Sequence, residues 1–244
     1  SMCLRRYATP PPPGKLPRHL FPRFPAPAPA ATNHSMRSRV LLLAAVLLLP
    51  GLLSAADKKL PNIVFILTDN QGAWTLGCYG NPDIRTPHID RLAAGGMRFD
   101  RALSSNAVCS PTRATFLTGL IPRQHGLHCF LDPKYMMGPE AYDTLAEFTT
   151  LPVVLQKAGY TCGLSGKWHL GANLATAPGF SFWVTKPDGS TRELYDQDLI
   201  EDGRLVKVEE YTTDYFTRRG IDLIQANKDK HFFLYLAYNG PYNL

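Results

Sequence analysis

The chain has 244 residues, of which 45% are apolar, and this is enough for one ordinary domain with a buried core. Its formal net charge of +6 comes from the N-terminus, because residues 1–56 contain seven Lys or Arg and no Asp or Glu. The rest of the chain carries 19 basic and 20 acidic side chains, a net charge of −1. The basic balance therefore does not indicate a nucleic-acid partner.

The N-terminal segment divides into two parts. Residues 1–35 are rich in Pro, Ala and Arg without periodicity, which predicts a disordered or spurious upstream segment. From Met36, two arginines precede a short apolar run, and small residues lead to Ala56, as in a secretory signal peptide. We expect a signal peptide over 36–56 with cleavage near Ala56, and hence a secreted or periplasmic protein. The apolar run is too short to predict a stable membrane anchor.

Three stretches of the remaining chain predict buried strands that end in polar or glycine-bearing segments. They are PNIVFILTDNQG at 61–72, YTCGLSGKWHLG at 160–171 and HFFLYLAYNG at 231–240. Continuous apolar runs of this kind are typical of parallel sheets, in which ligands bind beyond the carboxyl ends of the strands.

Four stretches between and beside these strands predict helices. The first starts at Thr86 and Pro87 and is terminated by Gly95 and Gly96; the others begin just after Cys109 and cover 150–160 and 211–227. The alternation predicts an α/β fold, with a mostly parallel central sheet and helices on both faces. The polar segment 172–210 is predicted to be a surface loop with one hairpin.

Three cysteines outside the N-terminal segment could form disulfides in an exported protein: Cys78, Cys129 and Cys162. Their spacing does not select a pair. Because no cysteines are arranged as CxxC, a zinc site is not expected.

Polar side chains follow the first two predicted strands. Asp69 and Asn70 offer adjacent oxygen donors, which suit a hard cation such as calcium, although an Asx turn or helix cap is the commoner explanation of such a pair by itself. Lys167 and His169 are two residues apart, so an extended segment places them on one side, where they could bind an anion and shuttle a proton. The structural alternative is a surface lysine and a packed histidine.

Cys109 is the most specific candidate, since it starts a predicted helix and is followed by Pro111 and Arg113. A helix N-terminus and a nearby guanidinium both favour an anion, and the thiolate is one. The alternatives from the residues alone are a reactive thiolate and a buried structural cysteine.

The segment AVCSPTRATFLTG, residues 107–119, resembles the first signature of the formylglycine-dependent type I sulfatases of the alkaline phosphatase superfamily. GYTCGLSGKWH at 159–169 resembles the second signature, except that Cys162 stands where Ser or Thr is usual. PNIVFILTDNQG and YGNPDIRTPHIDRLAAGGMRF are also similar to opening segments of this family. The resemblance implies an alkaline phosphatase-like fold, with 57–244 as the N-terminal portion of the catalytic domain.

The resemblance also implies a chemistry. A formylglycine-generating enzyme would convert Cys109 into formylglycine, whose hydrated form lies against Ca²⁺ (or Mg²⁺) and attacks the sulfur of a sulfate ester. The substrate would be a sulfated carbohydrate or a small sulfate ester.

By the same resemblance, each candidate residue takes a role. The catalytic positions are Cys109, Arg113, Lys167 and His169. Lys167 and Asn239 correspond to substrate contacts. Asp69, Asn70 and Cys109 correspond to metal contacts.

Two departures from the family pattern stand out. Asn70 occupies a metal position where Asp is more usual, and Asn239 occupies a position where the family commonly has a histidine. Asn can form hydrogen bonds but cannot shuttle a proton at neutral pH. The family's remaining metal ligands and a further lysine would lie beyond Leu244, so the chain as given is expected to be inactive.

Two other functions remain open from the sequence. One is a phosphate or phosphonate ester hydrolase of the same superfamily, which needs the same anion site and cation. The other is a non-catalytic binder of sulfated glycans, which the substitution at Asn239 would suit.

Overall fold

The computed structural model describes residues 60–191 and 193–242. The predicted upstream segment 1–35 and signal peptide 36–56 lie outside these residues. Within the described part of the chain, no helix combines the length and the apolar character needed to cross a membrane.

In the described residues, six strands form a single sheet: β1 (Ile63–Leu67), β2 (Thr161–Gly166), β3 (Phe182–Thr185), β4 (Gln197–Glu201), β5 (Arg204–Val208) and β6 (Phe232–Ala237). Their spatial order is β1-β6-β2-β3-β4-β5. The pairs β1/β6, β6/β2 and β2/β3 are parallel, whereas β3/β4 and β4/β5 are antiparallel. The predicted α/β class with a mostly parallel sheet is confirmed.

Five α-helices lie among the described residues: α1 (Pro87–Gly95), α2 (Cys109–Thr118), α3 (Pro122–His125), α4 (Leu151–Lys157) and α5 (Thr212–Ala226). Short 3₁₀ turns cover Ala73–Thr75, Gly77–Tyr79 and Pro133–Tyr135. The four predicted helices correspond to α1, α2, α4 and α5, and α2 begins at Cys109 itself.

The two faces of the sheet are each covered by helices, as predicted. Side chains alternate along a strand, so β6 sends Phe233 and Tyr235 to the core shared with α2, and Phe232 and Leu234 to the core shared with α5. All six residues of β6 are buried, because this strand lies between β1 and β2. The strand β6 is therefore the central support for the ends of its two neighbours.

The prediction that the first strand is fully buried is wrong for the described residues. β1 is the edge strand of the sheet, and Val64 and Ile66 are 46% and 52% exposed. Their register with Leu234 and Leu236 puts them on the face that α5 covers over β6 and β2. Because α5 packs over β2, β3 and β6, the outward face of β1 stays open.

The prediction of a surface loop over 172–210 is only partly correct. The expected hairpin exists as β4–β5, but β3 precedes it and all three strands extend the central sheet. Trp183 of β3 is completely buried and packs against Trp168 and Phe180. The four-residue length of β3 leaves too short a run for a periodic signal, so its burial arises from these long-range aromatic contacts.

The three cysteines that could form disulfides in an exported protein do not form them with one another. Cys78 and Cys162 are both free thiols in the structure, so no disulfide joins any two of Cys78, Cys129 and Cys162.

The glycine that ends β2 should be intolerant of a side chain. Gly166 has a φ of +122°, and a Cβ built there would lie 1.9 Å from the backbone oxygen of Ala237 in β6. We expect Gly166→Ala to lower the free energy of unfolding by about 3 kcal/mol or more, because the obstacle is backbone. Urea unfolding would measure this.

Gly95→Ala is the matched control, since a Cβ at Gly95 meets no atom within 4 Å. It should change the free energy of unfolding by no more than about 1 kcal/mol. Equal effects of the two substitutions would contradict the steric argument.

Candidate active site

The candidate residues converge because three adjacent parallel strands end at one edge of the sheet. Asp69, Asn239 and Lys167 follow β1, β6 and β2, which are neighbours in that order. Backbone hydrogen bonds continue past the strand ends: the Lys167 N–H donates to Ala237 (2.7 Å), and the Asp69 N–H donates to Gly240 (3.0 Å). The three segments are therefore fixed side by side where a ligand site is expected.

Helix α2 brings two further candidates to this edge. Cys109 is its first residue, and Arg113 comes four positions later, so both lie on the same helix face. Pro111 in the first turn fits a helix start, since proline lacks the N–H that would have no partner there. The sequence thus folds locally into a helix whose N-terminal turn carries the thiol.

Asp69 is the centre of a buried ionic cluster. Its Oδ2 accepts from Lys167 Nζ at 2.8 Å and from Arg113 Nη2 at 3.1 Å, and all three residues are at most 6% exposed. Arg113 Nη1 also donates to the Lys167 carbonyl at 2.5 Å. Two cations face one carboxylate, so the cluster carries a net positive charge.

Cys109 lies directly beside this cluster. Its Sγ is 3.6 Å from Lys167 Nζ and 3.7 Å from Asp69 Oδ1. Unlike the three charged residues, Cys109 is partly exposed. The buried Lys167 ammonium therefore lies within contact distance of the side chain at position 109.

The Asp69 carboxylate is held in its charged form. Burial by itself would raise its pKa, but the charges of Lys167 and Arg113 and their hydrogen bonds outweigh burial and lower the pKa below the usual value. The site consequently keeps its ionic arrangement throughout the neutral range.

The simple structural explanation of the Asp69–Asn70 pair is not supported. The Asp69 side chain bonds to distant residues rather than to a local turn, and the exposed Asn70 side chain makes no hydrogen bond to any described residue. Asn70 adopts a left-handed backbone with a φ of +60°, which asparagine tolerates better than most residues. The Asp69 carboxylate is thus used in the ionic cluster, and the Asn70 side chain remains available as an oxygen donor.

A cavity of about 260 Å³ opens at this edge of the sheet. Asp69, Asn70, Cys109 and Arg113 line it, whereas the buried residues Lys167, His169 and Asn239 do not. A larger cavity of about 820 Å³ lies within the segment from Gly77 to Asp100 and contains none of the candidate residues. The candidate residues that line a cavity therefore all line the smaller one.

His169 is a buried, neutral imidazole close to the cluster. Burial lowers its pKa to about 3, and the charges of Lys167 and Arg113 act in the same direction. Its Nε2 is 3.2 Å from the Leu131 carbonyl, which can only accept, so Nε2 carries the proton. The buried Nδ1 has no partner among the described residues and retains a free lone pair.

Asn239 is completely buried, yet neither heteroatom of its amide has a hydrogen-bond partner among the described residues. Leaving such a group unsatisfied costs about 1–3 kcal/mol, so it needs an explanation. Its place between the ends of β1 and β2 makes a polar ligand the simplest one.

Several residues near the site were not found from the sequence. Ser110 is completely buried and its hydroxyl accepts from the Leu131 N–H at 2.9 Å. Lys186 follows β3 and is 1% exposed, with Nζ donating to Gln197 Oε1 at 3.0 Å. A lysine in a polar, turn-rich segment normally points to water, so the sequence carried no signal of its burial.

Known proteins with related sequences are named as sulfatases. The family model described as Sulfatase matches residues 61–243. N-acetylglucosamine-6-O-sulfatase of Bacteroides thetaiotaomicron is 35% identical over 176 residues, covering 72% of this chain and 29% of that protein. N-acetylgalactosamine-6-sulfatase of Mus musculus is 34% identical over 225 residues, covering 79% of this chain and 42% of that protein.

Solved structures share the fold. BT4656 in complex with its substrate D-glucosamine-2-N,6-O-disulfate superposes with a TM-score of 0.64 at 32% identity, covering 75% of this chain and 35% of that one. Ps i-CgsB in complex with k-i-k-neocarrahexaose superposes with a TM-score of 0.67 at 28% identity, covering 75% of this chain and 46% of that one.

The chain spans 29% and 42% of the length of the two relatives named above. The family model matches from the residues before β1 to the segment after β6. The superpositions on solved structures agree with this match. The chain therefore belongs to the sulfatase family.

Proposed function

We propose that the protein is a sulfuric ester hydrolase that cleaves sulfate esters of carbohydrates or of small molecules. The observation that carries the proposal is the buried Asp69–Lys167–Arg113 cluster with Cys109 at its open side. Relatives named as sulfatases of 6-sulfated amino sugars support a sulfated carbohydrate as the substrate class. The signal peptide expected at 36–56 would place this activity outside the cytoplasm, in the periplasm or secreted.

The charges of the cluster suit an anionic group that gains charge during the reaction. Lys167 Nζ lies 3.6 Å from Cys109 Sγ, so it can contact oxygens of a sulfate group positioned for attack by residue 109. Arg113 holds Asp69 and the Lys167 backbone, and thereby keeps this ammonium in place. Asn239 offers a buried amide without partners as a second contact to the bound ester.

Cys109 is proposed to be the precursor of the nucleophile. In the signature that this chain carries, a formylglycine-generating enzyme converts the cysteine to formylglycine, which supplies an oxygen nucleophile and a route for releasing sulfate. The thiol of the structure stands at the position of that group. The short distances to Lys167 and Asp69 support the assignment.

His169 is proposed to be the base that acts during sulfate release. It is neutral because burial lowers its pKa, and the proton on Nε2 is committed to Leu131. The atom that can take a proton is therefore Nδ1.

A divalent cation, Ca²⁺ or Mg²⁺, is proposed to bind through the oxygens of Asp69 and Asn70, next to residue 109. Calcium prefers six to eight oxygen ligands, and within the described residues no group of three or more His, Cys, Asp or Glu converges. The donor type therefore fits, but these two residues supply only part of a ligand set. When bound, the cation would add positive charge beside the sulfate oxygens.

The nucleophile assignment is tested by mass spectrometry. The full-length protein is co-expressed with a formylglycine-generating enzyme, and the tryptic peptide from Ala102 to Arg113 should show the mass of the aldehyde at Cys109. Sulfate release from sulfated amino sugars should be lost in Cys109→Ala, because no nucleophile remains.

A known sulfatase converted in the same cells serves as the control for the modification. An unmodified thiol beside a converted control would refute the nucleophile assignment. Turnover of phosphate esters instead of sulfate esters would favour the phosphate ester hydrolase, and glycan binding without turnover would favour the binder.

The metal assignment is tested by thermal unfolding of the full-length protein with Ca²⁺, Mg²⁺ or EDTA. A ligand present at one hundred times its Kd stabilises by about 2.7 kcal/mol, so Ca²⁺ should raise Tm and EDTA should reverse the rise. Asp69→Asn should abolish the response because it removes the charged ligand. Asp198→Asn, at an exposed carboxylate of β4, is the matched control. A full Ca²⁺ response in Asp69→Asn would rule out this site.

The neutral, buried imidazole of His169 predicts how the free energy of unfolding depends on pH. Its pKa is about 3 when folded and 6.5 ordinarily, so below pH 6.5 the unfolded chain binds a proton that the folded chain does not. Stability is therefore lost as pH falls, by about 1.4 kcal/mol per unit in this window. Between pH 7 and 5 the wild type should lose about 2 kcal/mol more than His169→Asn, which tolerates the positive φ.

Urea unfolding at each pH measures this difference. His88→Asn, at an exposed histidine of α1, is the control and should follow the wild type. Identical pH dependence of His169→Asn and the wild type would show that His169 is not held neutral.

A further inference from the structure

We propose that the loop after β3, residues 186–191, positions His169, and that Gly189 is the residue through which it acts. This inference rests on the proposed role of His169 as a base. Gly189 is a positioning residue, because it touches the imidazole rather than the substrate.

The contact between Gly189 and His169 leaves no room for a side chain. A Cβ built at Gly189 would lie 2.2 Å from His169 Nε2 and 2.4 Å from both Cδ2 and Cε1. Real Cβ atoms do not approach other heavy atoms below 3.0 Å, so the ring or the loop would have to move. The ring cannot move easily, because His169 is 4% exposed and its Nε2 is bonded to the Leu131 carbonyl.

A second contact holds the imidazole through its hydrogen-bonding nitrogen. His169 Nε2 donates to the Leu131 carbonyl, and the Leu131 N–H donates to Ser110 Oγ, next to Cys109. This chain of bonds connects the ring to the first turn of α2. Gly189 adds a second contact to the same ring, because its backbone lies against Nε2, Cδ2 and Cε1.

The loop itself is anchored by a buried network. Lys186 is 1% exposed and its Nζ donates to Gln197 Oε1 at 3.0 Å, while Gln197 Nε2 donates to Glu193 Oε2 at 3.2 Å. Inside the loop, the Ser190 N–H donates to Asp188 Oδ1 at 2.9 Å across Gly189. The buried Lys186 thus fixes the loop at its first residue.

The test is the tautomeric state of His169, read by long-range ¹H–¹⁵N correlation spectra of the whole chain labelled with ¹⁵N-histidine. His169→Asn identifies the His169 signals by their loss. The wild type should show a neutral ring with the proton on Nε2. In Gly189→Ala, the His169 signals alone among the seven histidines should shift toward the other tautomer or a tautomer mixture, because the Leu131 bond is displaced.

Gly95→Ala is the control, since it adds the same methyl group where no atom lies within 4 Å. It should leave the His169 signals unchanged. Unchanged His169 signals in a folded Gly189→Ala protein, or an equal change in Gly95→Ala, would overturn the proposal.

If Gly189→Ala does not fold, as judged by circular dichroism, the same spectra of Lys186→Met test the proposal. This substitution adds no atoms near the ring but removes the bond to Gln197 that anchors the loop. A folded Lys186→Met protein with unaltered His169 signals would equally overturn the proposal. None of these readouts requires turnover, so a protein that hydrolyses no sulfate ester would refute the proposed function and leave this test intact.

Discussion

The Asp69 carboxylate, buried between the Lys167 ammonium and the Arg113 guanidinium, is the interaction on which the site depends. It joins the end of β1 to the end of β2 and to helix α2. Burying three charges is costly, and it is sustained only because each ion has close partners. The cluster keeps a net positive charge beside Cys109, which is the property that an anion-binding site requires.

The same charges set the state of the neighbouring histidine. Lys167 and Arg113 add to burial in lowering the pKa of His169, so the imidazole stays neutral while the lysine stays in its ion pair. A cationic cluster and an unprotonated imidazole thus coexist at neutral pH without a dedicated carboxylate on the histidine. The Leu131 carbonyl selects the Nε2-protonated form instead, and leaves Nδ1 as the basic atom.

The antiparallel strands at one end of the sheet support the candidate site, although they lie at its far side from β1. β3 lies beside β2, and its last residues lead directly into the loop that touches His169. The hairpin β4–β5 supplies Gln197, which binds the buried Lys186. A region with the composition of a surface loop is therefore part of the structure that holds the site.

The sequence by itself determined the local elements of the site. The apolar run before Asp69, the helix start at Cys109 and the glycine-bearing strand end before Lys167 are all encoded within a few residues, because strand burial, helix starts and sharp turns are short-range properties. The motif similarity to the sulfatases also came from contiguous residues. None of this required knowledge of strand order.

Only the tertiary structure decided which of these residues meet. Asp69 and Lys167 are 98 positions apart, and their ion pair exists because β6, the last strand in sequence, inserts between β1 and β2. The burial of Lys186, the contact of Gly189 with His169 and the exposed face of β1 likewise depend on neighbours distant in sequence. Local sequence patterns do not identify such neighbours, because the order of the strands in the whole sheet determines which distant residues pack together.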